Sequence, residues 1–545
     1  MIIFHNYSRL YTKKLIEEGM AQKGDGFKIT QHYCSKPEMK FNEVAKKGGE
    51  LYNIVKEYGS CFYIDRLQGG TFFSFYPFSE ELQEEYNEIT DGGYLGVQLH
   101  ELGETRLYDW FRIKGELDKT GLPWTEENIL ESVRAISHNK EFPHFSQGPA
   151  GEYAERKLPE KLREFYDDID YVIKTRMERF GGKIINCDSC AIYPGLEKEN
   201  DIPLSLVEIG GLTADTNYQI ALRRGMSCAA GKKWGVYLEP WGIDGELSAY
   251  CFMKNGENEW NCTKENFSFE AKCGNGGTSM SFAKRMMYYS LFAGTDYFSE
   301  EWGQSNTFYD FESFVLSPYG KIKKEFFALS RQFNSVKPVV PIAVVVPHEY
   351  KILNTQIVYP FENDIYDKEY SEMFKSMKSL FSDGVKIGFE DIYFTTGIAG
   401  GLIDIIYDDS YEGKPPYDLI IDYSSRMKGE NVLDAYSCNN LKERVKVFVD
   451  SFLPVKIEST GSKDIQLFEN NGSKYICIYN HNGISKNLKN GEIANHDADI
   501  FVTAKTKQGR FGEIINICDC SFNLNESKTE INTFLDAGKF ILIQY

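Results

Sequence analysis

The sequence predicts a (β/α)₈ barrel followed by a small α/β domain and a C-terminal antiparallel β-sandwich. Three observations carry that expectation. From the start to about Val336, short apolar runs alternate with stretches of helical periodicity, the signature of β-α units on a parallel sheet. After Lys337-Pro338 the alternation restarts with Ile342–Val346, a continuous apolar run suited to a strand covered on both faces. From about Ser459 the helical period disappears and short, turn-bounded, β-rich segments take over. The boundaries that follow are 1–336 for the barrel, 337–457 for an α/β domain of flavodoxin or amidotransferase type, and 458–545 for the sandwich.

The expected barrel strands are Ile2–His5, Phe27–Tyr33, Cys61–Asp65, Leu95–Glu101, Lys183–Asp188, Leu204–Ile209, Trp234–Glu239 and Asp296–Glu301. Between them, apolar residues recur at three- and four-residue spacing, as in Leu162, Phe165, Ile169, Val172, Ile173 and Phe180, so those helices turn one face to the sheet. The last barrel helix is expected from Tyr319 to Phe333 and starts at Ser317-Pro318, where Pro is pre-set for a first helical turn. Long insertions fall at Leu102–Gly182 and Ile243–Gly277, after strand ends, where a barrel builds its pocket walls. In the second domain Glu369–Phe381 reads as an amphipathic helix and Tyr417–Ile421 as a buried strand.

Composition narrows the function. The 545 residues are 14% aromatic, with 38 Phe and 35 Tyr, which excludes a disordered chain. A net charge of −19 repels phosphates and anionic headgroups, so neither nucleic acid nor a membrane is expected as a partner, while a homo-oligomer is compatible with the sequence. Met1–Asn6 lacks the basic-then-apolar layout of a signal peptide, which makes the cytoplasm the expected location, a trimmed secreted form being the alternative. The 12 Cys lack the density of a disulfide framework, and the C-x-x-C at Cys187-Asp188-Ser189-Cys190 has no second pair at ligand spacing. No metal and no cofactor are expected. The glycine pairs Gly69-Gly70 and Gly210-Gly211 form no phosphate-binding loop and read as turn glycines.

The chemistry is expected at the C-terminal ends of the strands, where a parallel barrel collects its reactive groups. Acids cluster there. Glu101, Glu208 and Glu239 end strands, Glu300 and Glu301 end another as a pair, and Asp65 and Asp188 close two more. His5, His32 and His100 also fall at strand ends, and Trp110, Trp241 and Trp302 stand in the adjoining segments, read here as loops. An unpaired buried carboxylate costs several kcal/mol, roughly 2–7 for a polar group and more for a charge, so several converging on one mouth suggest a purpose. Any single Glu is equally well read as a helix cap or a partner for Arg66, Arg106 or Arg112. Taken together with the Trp residues, the acids suit a sugar, which stacks its C–H face on a ring and bonds its hydroxyls to acids, amides and His. Two carboxylates flanking one bond are what glycoside cleavage needs, and Glu101, Glu208, Glu239 and Glu301 are all candidates.

On these residues and this three-domain order the chain resembles the family 42 β-galactosidases and their relatives in the large (β/α)₈ clan of retaining glycoside hydrolases. The resemblance implies an acid/base closing the fourth strand and a nucleophile closing the seventh, which are Glu101 and Glu239 here. The clan usually places Asn before the acid, and this chain has His100. With the strands counted one position differently, Glu208 or Glu301 takes the corresponding role. The expected function is therefore hydrolysis of a glycosidic bond in an oligosaccharide or glycoconjugate, exo-acting and retaining, with His32, Asp65, His100, Trp110, Trp241 and Trp302 binding substrate. The rival readings are a non-catalytic glycan-binding protein on a degenerate barrel and a metal-assisted barrel hydrolase.

Overall fold

The computed structural model describes residues 1–7, 9–29, 46–65, 80–87, 93–136, 150–156, 158–189, 191–210, 215–239, 280–301, 303, 307–308, 312–354, 365–382, 397–413, 415–481, 484–486, 493–495 and 499–545. Eight strands close into a barrel in chain order: β1 (Ile2–Asn6), β2 (Asp25–Ile29), β3 (Gly59–Asp65), β4 (Tyr94–His100), β5 (Ile184–Asp188), β6 (Leu204–Gly210), β7 (Trp234–Glu239) and β8 (Tyr297–Glu300). The pairings from β1 through β6, and that of β7 with β8, are parallel. The second strand starts earlier than expected, at Asp25, and its expected end at Tyr33 lies outside the described residues, as does the insertion Ile243–Gly277. Among the described residues no helix is long and apolar enough to cross a membrane.

The chain forms two compact units. One comprises Ile2–Glu208 and Tyr350–Glu369, the other Met1, Ile209–Glu349 and Tyr370–Tyr545. In the first, Phe27, Ile29, Phe62, Ile64, Val97, Leu99 and Ile184 from the strands pack in one apolar cluster with Leu162, Phe165, Ile169, Val172 and Ile173 of the helix Leu162–Arg179. The three- and four-residue spacing therefore marked the buried face. Gly96 permits close approach of β4 to β5: its φ is +125°, and a Cβ there would lie 2.1 Å from the Lys183 carbonyl oxygen.

The insertion after β4 carries its own small core. Trp110, Ile113, Leu117, Ile129 and Tyr153 are buried together, and Trp110 stacks on Trp124 with ring centroids 5.4 Å apart. This corrects the expectation for Trp110. It sits inside the helix Leu102–Thr120 with no exposed surface, rather than in a loop facing a substrate. Its period, shared with Ile113 and Leu117, is that of a helix face, and its indole N–H donates to Asp168 at 2.8 Å.

Asp168 also accepts from Arg106 Nε at 2.8 Å and Nη2 at 3.0 Å, and the Arg106 guanidinium lies 3.8 Å from the Tyr153 ring centroid. Burial alone would raise the Asp168 carboxyl, but the Arg106 charge, with hydrogen bonds from Arg106 and Trp110, holds it below the ordinary carboxylate range. A depressed folded pKa contributes stability above the unfolded value, which is lost as pH falls through the folded one. We predict that stability falls with acid below about pH 4 and that Asp168→Ala, which strands a buried guanidinium, costs about 3–5 kcal/mol. Thermal unfolding would show this as a drop of about 6–20 °C that is smaller in acid than at pH 7. A neutral Tm effect would mean that Glu152, 3.8 Å from Arg106, carries the charge unaided.

In the second unit the helix Pro318–Gln332 begins as expected, with Ser317 Oγ accepting from Gly320 N–H at 2.9 Å. Ile342–Val346 is no barrel strand. It lies in a separate four-stranded sheet ordered Ile403–Tyr407, Ile342–Val346, Leu419–Asp422, Val432–Asp434, all parallel. Besides the two-stranded antiparallel sheet of Ile484–Lys486 and Ile493–Asn495, the described C-terminal β-rich segments form two larger antiparallel sheets. One contains Val336–Pro338, Asp464–Asn470, Ser473–Tyr479, Phe540–Gln544 and Ile514–Ile515, the other Val455–Ser459, Ile500–Thr506, Glu530–Leu535 and Ser521–Leu524. Val336–Pro338, where the expected domain boundary falls, is an edge strand paired with Asp464–Asn470.

Candidate catalytic carboxylates

In the first unit, strand alternation turns polar residues inward at the ends of β3 to β6. Asp65, Gln98, His100, Asn186, Asp188 and Glu208 are all buried. Asp65 lies 3.8 Å from Lys28 Nζ, a buried ion pair within the barrel strands. Asn186 donates to Asp188 at 2.6 Å and to Glu197, and accepts from the Tyr193 hydroxyl, so its amide is committed to holding the β5 end in place.

Glu101 stands one residue beyond β4. Its N–H continues the ladder to the Cys187 carbonyl at 2.7 Å, and its carbonyl already accepts from Thr105 N–H at 3.0 Å. The residue joins strand to helix in a single step by adopting the left-handed conformation, φ 47° and ψ 40°, which costs a side-chain-bearing residue about 1–2 kcal/mol. Its carboxylate is 30% exposed, unlike the buried Glu208. Oε1 accepts from Ser189 Oγ at 2.8 Å, and the same hydroxyl contacts Glu104 Oε1. One hydroxyl carries one hydrogen, so it serves a single carboxylate at a time.

His100 stands next to this acid. The Gln98 side-chain amide, assigned as donor, meets His100 Nδ1 at 3.0 Å, which leaves the proton on Nε2. Nε2 lies 3.7 Å from Glu208 and 3.8 Å from Glu101, between the two carboxylates. His100, Cys187 and Glu208 hold donor atoms within 4.8 Å of one another and are the residues here that could take a metal ion. The Cys187 thiol is pushed well up, first by burial and then by the charges of Glu208, Asp188, Asp65 and Glu101, so a cation there would have to displace its proton.

In the second unit Glu239 ends β7 and is buried, with 2% of its surface exposed. Its place depends on Gly210. A Cβ on Gly210 would come within 2.5 Å of Glu239 Cβ and 2.7 Å of its Oε2, so only glycine leaves this carboxylate its room. We predict that Gly210→Ala leaves the fold intact but lowers turnover about 100-fold, the usual effect of a 1 Å misplacement. Circular dichroism and initial rates on one sample check it, and an unaltered rate would detach Glu239 from the chemistry.

Of the acid pair ending the eighth strand, Glu300 is taken by structure. The buried Lys323 ammonium reaches it at 2.8 Å and also donates to the Gly303 carbonyl and Thr307 Oγ1. Burial lowers the Lys323 pKa, with Glu300 opposing that shift. Glu301 follows the strand, buried, its N–H donating to the Leu238 carbonyl at 2.8 Å. His32, Trp241 and Trp302 lie outside the described residues.

Sequence reasoning missed Ser189, Glu104, Gln98, Gly210 and Lys323. Signals existed for two of them. Glu104 stands three residues after Glu101, the spacing of neighbours on one helix face, and Gly210 directly follows a strand that carries a candidate acid.

No family model matches the chain, and no curated protein matches it. Among solved structures it is similar to the catalytic module of a family 98 glycoside hydrolase from Streptococcus pneumoniae TIGR4, at 10% identity and TM-score 0.43, covering 100% of this chain and 98% of that one. It is similar also to an exo-carrageenase GH42 from Bacteroides ovatus, at 10% identity and TM-score 0.41, covering 100% and 82%. A GH42 β-galactosidase from G. stearothermophilus gives 9% identity and TM-score 0.44, covering 100% and 98%.

Proposed function

We propose that the chain is a glycoside hydrolase, retaining and exo-acting on an oligosaccharide or glycoconjugate, with Glu101 as general acid/base and Glu239 as nucleophile. The observation that carries the reading is that, in a closed parallel barrel, a Glu directly follows the fourth strand and another finishes the seventh, in unlike surroundings. Glu101 is partly open to solvent and hydrogen-bonded by a hydroxyl that it shares with Glu104, which suits a group that gives up and regains a proton. Glu239 is buried in space kept free by a glycine, which suits a group that must hold one position to attack.

In the first step Glu101 gives its proton to the glycosidic oxygen as Glu239 forms a bond to the anomeric carbon, and the C–O bond to the leaving group breaks. In the second, Glu101 takes a proton from water, which attacks the anomeric carbon and releases Glu239. His100, with its proton on Nε2, faces Glu101 at 3.8 Å. A panel of α- and β-aryl glycosides tests the reading, with NMR identifying the first anomer released. Hydrolysis with retention is expected. A folded chain inert on the whole panel would favour a glycan-binding protein. The cluster of His100, Cys187 and Glu208 supports a second reading, metal-assisted hydrolysis, and activity lost to a chelator and restored by a divalent metal would select it.

A further inference from the structure

We propose that the outward face of the sheet formed by Val455–Ser459, Ile500–Thr506, Glu530–Leu535 and Ser521–Leu524 binds a neutral glycan chain. Strand alternation sorts its residues cleanly. Ile500, Val502 and Ala504, with Ile531, Thr533 and Leu535, are buried, which leaves Phe501, Thr503, Lys505, Glu530, Asn532 and Phe534 on the other side. These pair across the two central strands as Phe501 with Phe534, Thr503 with Asn532, and Lys505 with Glu530. The outer strands add Glu458 opposite Thr503 and Asn523 opposite Asn532.

Two Phe side by side, 45% and 43% exposed, are an expensive use of a central sheet position unless something covers them. What surrounds them identifies the occupant. The charges cancel within the face, Lys505 with Glu530 at 3.1 Å and Lys456 with Glu458 at 2.7 Å, so no net field draws a polyanion or a charged protein surface. Thr503 donates to Asn532 Oδ1 at 2.7 Å, and Asn532 donates to Glu530 at 3.0 Å, which fixes a row of polar groups beside the rings. Sugars match that pattern, laying C–H faces on aromatic rings and hydroxyls against amides, hydroxyls and carboxylates.

A second copy of this chain matches it less well. Four strands about 4.8 Å apart and up to about 24 Å long present about 400 Å², half of the roughly 800 Å² per partner of a stable interface. The surface would hold a glycan whether or not the barrel cleaves one, so this proposal and the hydrolase reading fail separately.

Electrophoresis of the full chain through native gels cast with galactan, xylan or glucomannan tests it, with polygalacturonate as the charged comparator. At least one neutral polysaccharide should retard the chain. Phe501→Ala/Phe534→Ala should weaken that retardation about tenfold, and Phe501→Trp/Phe534→Trp should preserve it. All forms should keep the same Tm and the same rate on aryl glycosides. Three results would overturn the proposal: no retardation by any neutral polysaccharide, equal retardation of the Ala variant, or a wild-type dimer in sedimentation that the Ala variant converts to monomer.

Discussion

Glu239→Ala should abolish turnover on every glycoside, a loss of about 10⁴-fold or more, because it removes the group that attacks the anomeric carbon. Leaving-group quality should make no difference, since no displacement begins without the nucleophile. The vacated space offers a sharper test. Azide can enter where the carboxylate stood, and activity should return with a glycosyl azide of inverted configuration as product. Inversion identifies the face of attack, which a rate alone does not. The variant should keep its melting temperature, since removing a buried carboxylate also removes the cost of burying it. Rates near wild type would move the nucleophile to Glu301.

Glu101→Ala should behave differently, and the difference separates the two roles. Loss of the proton donor should cost about 10²–10⁴-fold with poor leaving groups and far less with activated aryl groups, which depart without protonation. Its breakdown step should slow, so a pre-steady-state burst of phenol is expected with activated substrates. Glu104 gives a further comparison. It competes with Glu101 for the single hydrogen of Ser189, so Ser189→Ala should displace the alkaline limb of the pH–rate profile, where the proton donor is lost, while leaving the acidic limb of the nucleophile in place. A profile identical to wild type would leave Ser189 as a structural link alone.

The order of elements was legible because each is written in a short window. Ile342–Val346 announces a strand covered on both faces by its unbroken apolar run, and the stripe from Leu162 to Ile173 announces a buried helical face. Ser317-Pro318 states a helix start in two residues. Two segments are ambiguous in such a window. Trp110 was placed in a loop because it follows an acid at the end of a strand, whereas its spacing to Ile113 and Leu117 already fitted a helix. Val336–Pro338 shows no period over its three residues, and only pairing with Asp464–Asn470 makes them a strand.

By itself, the sequence determined that this chain builds a parallel barrel and that acids finish several of its strands, since both follow from apolar periods a few residues long. Tertiary structure decided what each acid is free to do. Glu300 is held by Lys323 from a later helix, Glu208 shares His100 with Glu101, and Ser189 reaches back 88 residues to Glu101. The room for Glu239 comes from the missing side chain of Gly210 on the preceding barrel strand. A carboxylate's chemistry is set by charges, donors and free volume within a few ångströms, and in a barrel those neighbours come from strands and helices distant in sequence.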